Sequence, residues 1–209
     1  MAGERIKCFL LEELDPPRMR VWLRRYRSAG TGEKCPAPEN WGYHNAQTLI
    51  GEKAARHEER DFGSGTRRVI VCEYGDEDAP KRDSPAWPSA CACGYRFEDG
   101  DAWQVFSREL WRRADTGEVG TFEDFGPGAM WNAWWMISRP WDGEVGKHVG
   151  PDGRCLVVKT PGGEWTIDGP ASNGPGWTRT GAAPRITARP SILAGKYHGF
   201  LTDGELVSV

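Results

Sequence analysis

Cys91 and Cys93, in the string CACGYRF, are the residues whose type and spacing most directly suggest chemistry. A Cys-x-Cys-Gly turn brings two thiolates to one side of a tight loop, and the glycine lets backbone amides point at sulfur. This is the geometry of a zinc knuckle with one spacer residue removed. Structural zinc takes four ligands, so two more must come from Cys72, Cys35, His44, His57 or His198. Cys72 ranks first, because it ends a strand and a long loop then returns the chain to the knuckle. The plainer reading makes Cys91 and Cys93 small reduced residues in a turn. Cys8 and Cys155 fall at core-facing strand positions and read as buried small hydrophobes.

Other constellations are weaker. His57 and Glu59 give the HxE half of a zinc deaminase, but the second half fails, because the cysteines are CxC rather than PCxxC. Cys155, His198 and Asp168 or Asn173 supply the residue types of a cysteine nucleophile, its base and its orienter. Yet Cys155 sits inside GRCLVVKT, where no elbow or helix N-terminus would lower a thiol pKa. GSGTRR and GPGAM are Gly-containing turns without the GK[ST] ending of a phosphate loop. Trp131, Trp134, Trp135 and Trp141 cluster in sequence, and the spacing of the first three favours burial over a ligand platform.

The elements that must position these residues read as mostly β. Residues 5 to 13 and 18 to 27 alternate, with LDPP between them, so an antiparallel hairpin is expected, its open face lined by Arg side chains. Arg18, Arg20 and Arg24 head that face as candidate binding residues for an acidic partner, offering planar forks to carboxylates or phosphates. A strand is expected at 67 to 73, and 75 to 90, with three Pro and four acids, reads as surface loop. One helix is expected from Asp101 to Gly117: Asp101 caps, Gln104 completes the capping box, and Trp103, Phe106, Leu110 and Trp111 recur at helical spacing. GAMWNAWWMIS offers a second helical turn. Residues 155 to 168 make the best hairpin in the chain, and PRITARPSI and YHGFLTDGELVSV supply further strands, with a turn at Asp203 and Gly204. The expected class is therefore α+β, mostly antiparallel sheet with one short helix and a cysteine knuckle. A single domain over 1–209 is expected, with the zinc-knuckle loop at 72–98 inside it.

Composition narrows the function classes. The chain of 209 residues has 38% hydrophobic residues and no run long enough to cross a membrane as a helix. The apolar stretch in MAGERIKCFLLEEL is too short for a secretory leader, so the expected compartment is the cytoplasm, where thiols stay reduced. With a formal charge of -3, bulk nucleic-acid binding is not expected.

The strings WPSACACGYRF, DAWQVFSRELWRRADTGE, PGAMW, GPDGRCLVVKTPGGEWTIDGPASN, PRITARPSI and YHGFLTDGEL together resemble an uncharacterised protein family of tailed phages and prophages of high-GC Gram-positive bacteria. The resemblance spans most of the chain from Cys35 onward and carries no activity with it. It implies a phage-encoded protein acting in the host cytoplasm or associated with the virion. A second similarity is to a group found beside bacterial ubiquitin-like conjugation genes, with a CxCG knuckle, then PSI, then a His-containing strand ending in DG. Pro190, Ser191, Ile192, His198, Asp203 and Gly204 match that order. This similarity implies His198 as a zinc ligand, giving an expected metal set of Cys72, Cys91, Cys93 and His198.

Two functions compete on this reading. The first is a zinc-knuckle accessory protein that binds a host or virion protein. The second is an enzyme with a pocket around Asp168, Asn173 and His198.

Overall fold

A computed structural model describes residues 4–27, 34–37, 40, 42–61, 66–137, 148–169 and 178–209. The strands in chain order are β1 (Arg5–Lys7), β2 (Phe9–Glu13), β3 (Arg18–Arg27), β4 (His44–Ala54), β5 (Arg56–Asp61), β6 (Thr66–Val71), β7 (Ala102–Glu109) and β8 (Trp111–Arg113). They continue as β9 (Val119–Gly120), β10 (Ala129–Asn132), β11 (Leu156–Thr160), β12 (Gly163–Thr166), β13 (Thr178–Ala182), β14 (Arg185–Ala194), β15 (Tyr197–Thr202) and β16 (Glu205–Ser208). Among the described residues there is no α-helix, only 3-10 turns such as Asp76–Asp78 and Trp134–Met136. Among the described residues no helix is long and apolar enough to cross a membrane.

The expected α+β class is therefore corrected to mostly β. The segment expected as a helix, 101 to 117, forms β7 and β8 instead. Its apolar residues satisfy a helical spacing, but the same string also alternates. Trp103, Val105 and Ser107 share one face, while Gln104, Phe106 and Arg108 share the other. Pairing decides between the two periods, because eight residues of β7 lie in antiparallel register with β3, from Met19 opposite Glu109 to Tyr26 opposite Ala102. Asp101 does not cap a helix. Its carboxylate accepts from the Glu98 amide (2.8 Å) and the Tyr95 hydroxyl (3.1 Å), shaping the entry to the strand. Gly117, with φ +76°, closes the turn between β8 and β9.

The chain divides into two compact units. The first comprises 1–15, 57–69 and 111–209, the second 16–56 and 70–110. In the first, a five-stranded sheet (β1-β16-β15-β14-β13) and a six-stranded sheet (β12-β11-β10-β2-β8-β9) share a core. Alternation sends Cys8, Met130, Leu156 and Val158 into that core with Ile186, Ile192, Leu201 and Leu206. The neighbouring Phe9, Leu11, Trp131 and Val157 point the other way, into a second core with Trp111 and Phe125. A strand buried on both faces reads as a continuous apolar run, which is why CLVVKT announced itself in sequence. The hairpins at 155 to 168 and 197 to 208 form as expected. Trp131 is buried, within stacking range of Phe122 (centroids 4.6 Å apart), and Trp134 and Trp135 are half-buried. Trp141 lies outside the described residues.

In the second unit β3 is the centre of a three-stranded antiparallel sheet, order β4-β3-β7. The hairpin expected between 5–13 and 18–27 is not formed, since β1 and β2 join the sheets of the first unit. Residues 70 to 100 fold over one face of the three-stranded sheet. There Trp87 meets Trp103 edge-on at 5.5 Å, and Cys72 lies beside Ser107. The buried apolar side chains described in this unit are few: Val21, Leu23, Leu110, Pro17, Pro88, Cys35, Cys72 and Cys91.

Candidate metal centre

The knuckle is a miniature hairpin. Ala90 bridges Arg96, the Cys91 amide donates to the Tyr95 carbonyl (2.8 Å), and the Gly94 amide donates to the Cys91 carbonyl (2.9 Å). Gly94 takes φ +93°, a conformation other residues rarely adopt, so the turn needs glycine there. The Tyr95 amide, two residues past Cys93, hydrogen-bonds the Cys93 sulfur. A second turn repeats the device: the Ala37 amide hydrogen-bonds the sulfur of Cys35, also two residues back. The Asn40 amide donates to the Ala37 carbonyl, and the Tyr43 amide to the Asn40 carbonyl, which delivers the chain to His44 at the start of β4.

These two turns and the strand end meet. The ligand atoms of Cys35, His44, Cys91 and Cys93 all lie within 4.8 Å of one another. The Cys35 and Cys91 sulfurs are 3.8 Å apart, and His44 Nδ1 is 3.2 Å from the Cys93 sulfur. Cys35, His44 and Cys91 are buried, and Cys93 is half-buried. This is a buried Cys3His cluster compatible with a metal ion.

The surroundings favour thiolate at Cys35. Asn40 Nδ2 donates to the sulfurs of both Cys35 (3.2 Å) and Cys91 (3.4 Å). Its other end is fixed, because Oδ1 accepts from Asn45 Nδ2 at 2.7 Å. Burial pushes the Cys35 thiol up, but the donors from Asn40 and Ala37, with the neighbouring thiols, hold it below the ordinary value. At Cys93 the Tyr95 amide pulls down, yet burial and the proximity of Cys91 and Cys35 win, and that thiol is raised. The two thiols are thus shifted in opposite directions, as neighbouring thiolates that repel one another would be. A cation at the centre removes the repulsion.

A rigid frame supports the cluster. Arg25, buried on β3, donates to the carbonyls of Pro88 (3.2 Å) and Glu98 (2.5 Å), pinning both flanks of the knuckle to the sheet. Arg27 donates to the Tyr95 hydroxyl, and the Tyr95 ring stacks on His44 with centroids 4.2 Å apart.

Of the expected metal set, Cys91 and Cys93 are brought together. Cys72 and His198 are not in this cluster, and Cys35 and His44 occupy their places. Cys72 lies beside Ser107, where burial raises its thiol. His198 is exposed in the first unit, with Nε2 3.4 Å from the Ser191 hydroxyl. Cys35 and His44 are among the candidates the sequence offers, ranked behind Cys72, which ends a strand from which a long loop returns the chain to the knuckle. The signal available was the Cys-Pro-Ala turn, which matches Cys-Gly-Tyr in shape.

The other candidates are placed as follows. Asp168 is enclosed: Oδ1 accepts from Arg179 Nε (2.7 Å) and Oδ2 from the Leu156 amide (2.8 Å). Asn173 lies outside the described residues. His57 stands on strand β5 between Glu13 and Arg68, not on the helix a deaminase requires. Cys155 is fully buried in the aromatic core. Arg18 and Arg20 share the Glu52 carboxylate at 2.5 and 3.2 Å. Arg24 lies over the rings of Tyr26 and Phe106.

Comparisons with protein-family models, with curated proteins and with solved structures find no match to this chain.

Proposed function

We propose that Cys35, His44, Cys91 and Cys93 hold a structural zinc ion, and that the chain is a phage-encoded accessory protein whose metal-built unit binds a host or virion protein. The Cys3His donor set carries the reading. Three thiolates and an imidazole suit zinc. A tetrahedron with metal–sulfur bonds of ~2.3 Å has sulfur–sulfur edges of about 3.8 Å, the separation of Cys35 and Cys91. Four protein ligands leave no open position for water or substrate, which favours a structural over a catalytic role. The thin apolar core of the same unit gives the metal something to do, since small units with few buried side chains need a staple. Phage origin and partner class rest on the resemblance of the strings quoted above.

The test is metal analysis of the full chain purified without added zinc. About one zinc per chain is expected, lost in Cys35→Ser and Cys91→Ser and retained in Cys72→Ser and His198→Ala. Zinc-free wild type, or zinc retained in both cluster variants, would overturn the metal reading. For the partner, wild type and Cys91→Ser serve as bait in infected-cell lysate. A host or virion protein held only by the zinc-loaded chain supports the module, and identical recovery by both contradicts it.

A further inference from the structure

The two sheets of the first unit do not cover each other completely. Met130 on β10 is fully buried between them, and Leu10 stands beside it in parallel register on β2. Further along the same face of the six-stranded sheet the cover ends. Leu10 is half-buried, while Glu12 and Arg112, opposite each other in register, are exposed and pair at 3.3 Å. A cavity of about 600 Å³ opens at this margin, inside the range of about 300–1,000 Å³ typical of small-molecule sites. Its floor is the segment from Lys7 to Leu10, where the chain leaves the five-stranded sheet for the six-stranded one. Two turns of the five-stranded sheet wall it. The Cys8 amide donates to the Gly204 carbonyl at 2.7 Å, and a Cβ on Gly204 would lie 2.8 Å from the Pro184 carbonyl, so glycine lets the β13–β14 turn sit against the β15–β16 turn. From the other sheet come Ala114 and Asp115, tied to the floor by the Ala114 amide, which donates to the Leu10 carbonyl at 2.9 Å. The walls are thus hydrogen-bonded to the floor, and the cavity is formed before any ligand enters.

Five charged residues line the cavity, and their pairing leaves one over. Arg113 holds Asp115 at 2.6 Å, Arg185 holds Asp203 at 3.1 Å, and Arg5 holds Glu205 at 2.8 Å. Lys7 stands opposite Glu205 in register, but that carboxylate is engaged by Arg5. Lys7 makes no ion pair among the described residues and acts on Asp115 only at longer range. Each acid has its own arginine, so the lining with its partners carries one net positive charge, on Lys7. The apolar part is equally simple. Cys8 and Phe9 belong to the cores, which leaves Leu10, Ala114 and Pro184 as the apolar lining.

We propose that this cavity binds an amphipathic monocarboxylate, its apolar body over Leu10, Ala114 and Pro184 and its carboxylate at Lys7. One ammonium beside aliphatic side chains matches one anion on an apolar body, and the charge-assisted hydrogen bond between them is of the strong kind. A phosphate monoester would bring about two negative charges against one, with three carboxylates nearby to repel the excess. A cationic ligand would meet Lys7 unshielded, since the acids are already taken. A neutral apolar ligand would cover the Lys7 ammonium and leave it without a partner, which costs free energy. The inference goes beyond the metal-built protein-binding module and concerns a separate set of residues.

The test is titration of the full zinc-supplemented chain with octanoate, followed by the amide chemical shifts of the lining residues, with acetate and 1-octanol as the two halves of the ligand. Saturable shifts at Lys7, Leu10, Ala114, Arg185 and Gly204 are expected, with a Kd of about 1 mM or tighter. Acetate, which lacks the body, and 1-octanol, which lacks the charge, should each bind at least ~tenfold more weakly. Lys7→Met keeps the stem and removes the ammonium, and should weaken octanoate by about tenfold while leaving 1-octanol unchanged or tighter. Ala114→Glu, at an exposed position, sets a carboxylate at the rim and should weaken octanoate by ~fivefold or more. Far-UV circular dichroism shows that each variant is folded. The reporting amides all belong to the first unit, so the outcome is read separately from metal content. No saturation by ~10 mM octanoate, shifts centred on residues away from the lining, 1-octanol binding as tightly as octanoate, or octanoate affinity unchanged in either variant would overturn the proposal.

Discussion

Arg25 shows how a single residue can look like surface and act as frame. In RMRVWLRRYR it is one of five arginines, yet alternation turns it inward, where it satisfies the Pro88 and Glu98 carbonyls. Arg25→Met keeps bulk but removes both donors. The expected cost is about 2–4 kcal/mol in chemical denaturation of the second unit, because two carbonyls lose their partner; a loss below ~1 kcal/mol would show that water replaces the guanidinium. Cys8 makes a prediction of the opposite kind. Burial pushes its thiol from an ordinary 9.0 up to about 12. An acid whose folded pKa is raised stabilises the fold fully below its unfolded value, and the contribution is lost as pH rises through the folded one. Stability should therefore fall between about pH 9 and 12 by on the order of 4 kcal/mol more in wild type than in Cys8→Ala. Parallel pH profiles for the two proteins would contradict this.

Legibility at the residue scale was partial for a physical reason. The CxCG turn is local, so Cys91 and Cys93 could be read directly as a pair. The two remaining ligands arrive from a loop and a strand end far away in sequence, and only the pairing of β3 with β4 brings them near. Cys72 ranked first because it ends a strand and a long loop then returns the chain to the knuckle, a local argument that the sheet pairing overrides.

At the scale of elements, the strings that were legible were those with one consistent period and a turn residue at the right place, such as 155 to 168 and 197 to 208. The segment at 101 to 117 carried two periods at once, and local propensity could not choose between them. Its partner β3 chose. The strand assignment predicts a pattern in amide hydrogen exchange. In the second unit, β3 is flanked on both sides, so its amides from Val21 to Arg25 should exchange slowest, while the edge strands β4 and β7 should alternate between protected and fast amides. Uniform protection across 102 to 109 with i to i+4 periodicity would restore the helix and sink the sheet.

For the whole molecule, the apolar residues are unevenly shared. The first unit has two cores, one of them aromatic. The buried apolar set described in the second is Val21, Leu23, Leu110, Pro17, Pro88 and Cys72 beside the cluster. Chelation should therefore affect the two units differently. In a thermal melt, removing the metal should lower one transition by on the order of 20 °C, because metal binding free energy is folding free energy for a small unit. The transition reported by buried Trp111 and Trp131 should stay where it was. A single transition that moves as a whole would show that the units unfold together, and no movement would show that the cluster does not support the fold.

The central claim is that one metal ion is held by Cys35, His44, Cys91 and Cys93. X-ray absorption at the zinc edge of the purified full chain tests it most directly. The account predicts three sulfur neighbours at ~2.3 Å and one nitrogen at about 2.0–2.1 Å, with one sulfur lost in Cys35→Ser if residual metal is bound. A first shell of oxygen and nitrogen alone, or one whose sulfur count is unchanged in Cys35→Ser, would contradict it.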